Sequence, residues 1–205
     1  MIRTPRYKVC RRFGDRLFTK CQTAKYSVRS ARKSSSGQGG KRPRPKSDYG
    51  LQLMDKQKIR FAYGVSERQF ANYVSHSRDQ GGKDAPGMLY GMLERRLDNV
   101  VFVLGWAPSR AFARQVVSHG HITVNGRKVT IPSFEVSVGD VIAVRVGSKN
   151  NAIFRTLAER TNDVDVPNWL AADSALGEAK VAALPASEGM SPSMNFASVI
   201  EFYSR

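Results

Sequence analysis

The chain has 205 residues, 41% of them hydrophobic, which is enough for one or two domains with a real core. Its formal net charge of +16 and pI near 10.3 lie far from those of a neutral enzyme and point to a polyanionic partner. No apolar run approaches the roughly 18 residues of a membrane span, and the basic start MIRTPRYKVCRRFGDRLF lacks the apolar core of a secretory signal.

The position of the charge says more than its total. Up to Arg60, 18 Lys and Arg stand against 3 Asp and Glu; the remainder holds 15 against 14, so the excess is N-terminal. An Arg-rich, Ser-rich, acid-poor start is also the composition of an organellar transit peptide. Cys10 and Cys21 are the only cysteines, too few for a disulfide framework and in keeping with a reducing compartment.

Residues 1–47 show little helical or strand period and read as a basic arm, disordered when alone. Tyr7, Phe13, Phe18 and Tyr26 are interleaved with its cations, and the run SSSGQGGKRPRPKS cannot nucleate a helix. Against RNA, Arg3, Arg6, Lys8, Arg11, Arg12, Lys41, Arg42, Arg44 and Lys46 would release counterions from phosphates, and the rings could stack on bases or pack on the body.

From Asp48 a helical pattern begins. Leu51, Met54 and Ile59 are available for one side, Lys56, Lys58 and Arg60 fall elsewhere as candidate RNA contacts, and Gly64 ends the run. Ser66 and Gln69 form a capping box, Val65 and Phe70 have staple spacing, and the helix runs to about Arg78 with Phe70, Tyr73 and Val74 inward. DQGGKDAPG reads as a loop. Leu89, Leu93, Leu97, Val100, Val101 and Leu104 then trace one apolar face of a single helix, ended by Gly105 and Pro108. Ser109 caps the next helix, on which Arg110 and Arg114 share a face one turn apart, and Gly120 stops it.

Beyond Gly120 the period becomes two. Ile122 and Val124, the Asn125-Gly126 turn, and Val129 and Ile131 make a hairpin; Phe134, Val136 and Val138 alternate again, and VIAVRV closes a small antiparallel sheet. A helix is expected from Ala152 to Arg160, NDVDVPNWLAAD reads as irregular, and AKVAALP and FASVIEFYS read as strands that pair with each other. The fold class is therefore α+β: a helical first domain completed by C-terminal strands, an inserted compact unit of two helices and a sheet, and an extended basic arm. The expected divisions are 1–47, 48–92 completed by 151–205, and 93–150.

The chemistry points to binding. Arg110 and Arg114 can each bridge phosphate oxygens, the Ser109 helix start adds positive potential, and Asn125, Arg127 and Lys128 form a charged hairpin tip suited to a wide RNA minor groove. His119 and His121 invite a metal, but no carboxylate or cysteine pattern accompanies them, so capping and RNA hydrogen bonding are the better reading. Asp98, beside Arg95 and Arg96, reads as an ion-pair or backbone hydrogen-bond partner rather than a catalytic acid. No Walker loop, nucleophile elbow or paired-carboxylate motif is present, so no enzymatic activity and no cofactor are expected.

Several runs together, namely VCRRFGDRLF, SDYGLQLMDKQKIRFAYGVSERQF, RLDNVVFVLG, SRAFARQVVSHGHITVNGRKVTIPSFEVSVGDVIAV and the terminal VIEFYSR, resemble the bacterial-type small-subunit ribosomal protein S4 family. The compact unit alone is similar to the S4-type RNA-binding domain also found in some pseudouridine synthases, tyrosyl-tRNA synthetases and a heat-shock RNA-binding protein. An RNA-modifying enzyme or a stress RNA-binding protein is thus the alternative, but the rest of the chain offers neither length nor motif for a catalytic domain. The resemblance implies a structural protein, located in the cytoplasm within the small subunit. It implies direct binding to small-subunit rRNA, nucleation of assembly and support of decoding accuracy near the mRNA entrance, with the third and fifth small-subunit proteins as neighbours. The chain also departs from the pattern. Of the four N-terminal metal-binding cysteines of many members only Cys10 matches, so no metal site is expected; the usual Pro-Gly-Gln-His run is Ser36-Gly37-Gln38-Gly39; and Ala111 and Phe112 replace an Arg and a Gln often found on the arginine helix.

Overall fold

The computed structural model describes residues 5–14, 16–35, 47–149, 151, 154, 164–173 and 177–204, without the side chains of 32–35 and 83. Arg3, Lys41, Arg42, Arg44, Lys46, the Ser36–Gly39 run and all of the expected 152–160 helix except Phe154 lie outside the described residues. In chain order the helices are α1 (Arg6–Phe13), α2 (Ala24–Ser35), α3 (Asp48–Tyr63), α4 (Glu67–Gly81), α5 (Ala85–Glu94), α6 (Leu97–Val103), α7 (Arg110–Ser118) and α8 (Phe196–Tyr203). The strands are β1 (Ile122–Val124), β2 (Arg127–Lys128), β3 (Val141–Val144), β4 (Leu170–Asp173) and β5 (Glu178–Val181). The α+β class is as expected. These elements form two compact units, Met1–Pro86 with Pro192–Arg205, and Gly87–Ser191.

In the first unit the described part of the arm is structured rather than disordered. Cys10 and Cys21 are fully buried and Tyr26 nearly so, with Tyr7, Leu17 and Phe18 packed around them. Tyr7 and Tyr26 pair at 5.4 Å, and Phe13 of α1 meets Phe61 of α3 at 5.9 Å. The apolar positions are few and set among cations, so they escape a periodicity reading, yet they suffice once two short helices share them. α2 runs into the first serines of SSSGQGG because extending a helix is easy where nucleating one is not.

α3 is capped by Ser47, whose Oγ accepts from Gly50 N–H at 3.3 Å, and ends at Gly64 with φ of 66°. Its buried face is Ile59, Ala62 and Tyr63, whereas Leu51 is 49% exposed. The Ser66 cap forms as expected, Gln69 N–H donating to Ser66 Oγ at 3.3 Å, and Val65 and Phe70 are both fully buried as a staple should be. The terminal FASVIEFYS is a helix, α8, not a strand. Asn195 Oδ1 accepts from Ser198 N–H at 3.0 Å, and Phe196 and Val199, three apart, bury one face. Tertiary burial against α3 overrides the β propensity of its aromatic and β-branched residues.

In the second unit the helix expected from Leu89 to Leu104 is broken at Arg96, which is extended (φ −62°, ψ 131°). There Leu97 N–H donates to Phe134 O at 2.8 Å, Asp98 N–H to Pro132 O at 3.1 Å, and Val136 N–H to Arg95 O at 3.0 Å. The segment expected to be a strand around Phe134 and Val138 is instead spent on this seam, with one bridge pairing Arg96 and Glu135. The sheet has the order β2-β1-β3-β5-β4, antiparallel throughout. NWLAAD, expected irregular, thus supplies β4, and AKVAALP supplies β5, which pairs with β3 and β4. Ile122, Val124, Ile142, Val144, Ala179 and Val181 alternate inward onto Leu97, Val100, Val101, Ala113, Val116 and Val117 of α6 and α7.

Candidate nucleic-acid interface

Arg110 and Arg114 share a face of α7, and that face turns partly toward α6. Arg114 donates from Nε and a terminal nitrogen to Asp98 Oδ2 at 2.8 and 2.6 Å, while Arg96 forks the same carboxylate at 3.1 and 2.9 Å. Arg96 and Asp98 are each only 2% exposed. A buried guanidinium has to be matched by a hydrogen-bonded carboxylate, and here one carboxylate matches two. Asp98 is therefore an ion-pair partner as expected, though of Arg96 and Arg114; Arg95 pairs with Glu135 at 3.2 Å. Arg110 donates Nε to Asn99 Oδ1 at 2.7 Å and lies 4.6 Å from the Phe102 ring centroid. Asn99 is held in turn by the carbonyl and carboxylate of Glu94. Both arginines remain half-buried at the surface with fixed orientation.

The hairpin turn adopts the positive φ that Asn-Gly predicts, 50° at Asn125 and 76° at Gly126. Asn125 belongs to the turn itself: its amide donates to Asp140 Oδ1 at 2.7 Å and accepts from Val141 N–H at 2.9 Å, locking two loops together. This structural role leaves the residue exposed at the hairpin tip. Arg127 and Lys128 are exposed. The Lys128 chain lies across Gly120, where a Cβ would come within 2.1 Å of Lys128 Cε, so glycine is required there both for φ of 74° and for this close approach.

His119 is exposed at the end of α7, with its ring 6.1 Å from that of His121. His121 is half-buried, its Nδ1 2.9 Å from Ser148 Oγ and its ring edge-on to Phe154. Burial, and then the charges of His119, Arg145 and Lys128, push the His121 pKa below 6.5, which keeps it neutral at pH 7. Among the described residues no three His, Cys, Asp or Glu side chains gather as a metal site. Arg145 and Lys149 extend this basic surface without having been singled out; they are more than twenty residues from His121, and only β1–β3 pairing brings Arg145 beside it.

In the first unit, Arg6, Lys8, Arg11 and Arg12 of α1 are exposed. The cations of α3 are not. Lys56, 8% exposed, pairs with Glu67 at 2.6 Å with its ammonium 4.7 Å from the Phe202 ring, Arg60 reaches Glu67 at 3.2 Å, and Lys58 donates to the Ser193 carbonyl. Partial burial would raise the Glu67 pKa, but Lys56, Tyr203 and Arg60 outweigh it and hold the carboxyl below its usual value. Burial and Glu67 push the Tyr203 phenol up, so it stays protonated and donates to Glu67 Oε1 at 3.1 Å. Lys56, Lys58 and Arg60 thus fasten α8 and α4 to α3, Lys56 from a buried position.

A family model described as Ribosomal protein S4/S9 N-terminal domain matches residues 1–99, and one described as S4 domain matches residues 95–142. Proteins named small ribosomal subunit protein uS4 from Herpetosiphon aurantiacus and Desulforamulus reducens are 47% and 44% identical to the chain over 206 and 204 residues, in each case 98% of the chain and 97% of the relative. The uS4 protein of Dehalococcoides mccartyi is 44% identical over 201 residues. With two adjoining domain matches in the family's order and likeness over nearly its whole length, the chain belongs to the uS4 family of small ribosomal subunit proteins.

Proposed function

We propose that this protein is a structural, non-enzymatic constituent of the small ribosomal subunit that binds small-subunit rRNA directly, nucleates assembly and supports decoding accuracy near the mRNA entrance. The observation that carries the reading is the exposed basic surface at the β1–β2 hairpin, where Arg127 and Lys128 stand on paired strands and β1–β3 pairing brings Arg145 beside His121. The basic residues of α1 supply a further surface, and those of 1–47 beyond the described residues add charge. Phosphate contacts of this kind position a protein on folded RNA without reading sequence. The third and fifth small-subunit proteins and the mRNA are the further partners we assign, with the cytoplasmic small subunit as the location.

The test is co-sedimentation with the small subunit, combined with rRNA binding across a salt series. Replacing Arg127 and Lys128 by Ala should reduce the salt slope by about 0.7–0.9 for each phosphate no longer neutralised and leave thermal stability in place. An unchanged slope would remove the hairpin tip from the interface, and failure of the intact protein to co-sediment would overturn the reading as a whole. Arg114→Ala is a poorer probe, because it also strips a partner from buried Asp98.

A further inference from the structure

Between α1 and α2 lies an open cavity of about 250 Å³ lined by Tyr7, Arg11, Arg29 and Ser30. Its construction is specific. Tyr7 and Arg11 stand one helical turn apart on α1, both line the cavity, and Arg11 donates Nε to the Tyr7 carbonyl at 3.3 Å. Arg29 projects from α2 with its guanidinium 6.0 Å from the Tyr7 ring centroid, and Lys20 approaches the same ring at 6.0 Å. Tyr26, buried behind Tyr7 at 5.4 Å, fixes that ring in place. Asp15 is the single acidic residue before Asp48, so three cations meet here in a stretch with almost no counter-charge.

A half-buried aromatic ring beside two guanidinium groups has the chemistry of a nucleotide site. Bases that are not paired stack on tyrosine rings and on arginine planes, while the fork of a guanidinium matches phosphate oxygens. The cavity is slightly smaller than sites for drug-sized ligands, in proportion to one heterocycle with its phosphate rather than a paired helix. We propose that this cavity holds a single unpaired nucleotide of RNA, its base against Tyr7 and Arg29 and its phosphate at Arg11 and Arg29. The proposal rests on the rRNA-binding reading above and adds to it a defined site in the first unit that selects an extruded base.

The experiment uses the full chain and two RNA duplexes of the same stem sequence, one fully paired and one with a single bulged 2-aminopurine. The bulged duplex should bind about 5- to 150-fold more tightly, the range that one base–aromatic stack supplies, with quenching of the 2-aminopurine. Tyr7→Ala should abolish both the preference and the quenching while leaving affinity for the paired duplex as it was, and Tyr7→Phe should keep them. Arg29→Gln, a change at an exposed position, should reduce the preference even if Tyr7→Ala fails to fold. Equal affinity of the unaltered protein for the two duplexes would overturn the proposal. So would equal losses for both duplexes in the folded Tyr7 and Arg29 variants, which would mark binding to the RNA backbone only. Co-sedimentation of the same proteins separates the two readings: retention on the subunit without bulge preference overturns the cavity alone, and loss of both removes the rRNA reading beneath it.

Discussion

Asp98 is the residue on which the arginine face of the second unit depends. It is 2% exposed and receives two guanidinium groups, one of them on the equally buried Arg96. Asp98→Ala would leave Arg96 buried without its carboxylate, and breaking such a pair costs about 3–5 kcal/mol, a large part of a domain's stability. A lowered urea midpoint with little change in slope is the expected result, and Asp98→Asn should lose less because its amide oxygen still accepts. The Arg96–Asp98 pair was legible from adjacency. The bond to Arg114, sixteen residues on, was not, because it exists only when α7 packs on α6. His121 makes a second prediction at this scale. Its folded pKa lies below 6.5, so the unfolded chain takes up its proton first as pH falls. Stability from keeping this ring neutral is fully present above about pH 6.5 and is lost as pH falls through the folded value. Thermal melts from pH 7.5 down to 5 should show the loss, and His121→Gln should flatten that part of the profile.

Among the elements, α8 shows how little local sequence says when an amphipathic helix is rich in β-forming residues. Phe196, Val199, Ile200, Phe202 and Tyr203 read as a strand by propensity, but Asn195 caps a helix, Phe202 stacks on Tyr49, Tyr203 bonds Glu67, and Gln52 donates to Glu201. The Tyr203 carbonyl at the helix end also accepts from Arg78. Asn195→Ala should cost about 0.5–2 kcal/mol by removing the bond to Ser198 N–H, measured as a fall in thermal or urea midpoint, while rRNA affinity per folded molecule stays the same. The Leu89–Leu104 run fails in the opposite sense: its apolar period continues unbroken through Arg95 and Arg96, and the kink arises because the 132–136 segment takes the backbone N–H groups of Leu97 and Asp98. Ser66 and Ser109 were readable as caps because each needs only its own next three residues.

At the scale of the whole molecule, charge and motif order point to RNA, while the structure sorts the cations by task. Of those placed at the RNA surface from sequence, Lys56, Lys58 and Arg60 bind α4 and the α8 region to α3, Arg110 and Arg114 brace α6, and Arg127, Lys128 and the α1 residues face outward. The sequence by itself determined the basic balance, the α+β class, the Ser66 and Ser109 caps, the Asn125-Gly126 turn and the family, because each rests on composition or on interactions within a few residues. Only the tertiary structure decided that the arm's Cys10, Cys21 and Tyr26 make a small core, that β4 and β5 extend the sheet, and that α8 is a helix. The same holds for Asp98 joining Arg114 and for Tyr7 meeting Arg29. These are pairings between distant residues whose free energy comes from burying shared surface, a quantity that no local pattern contains.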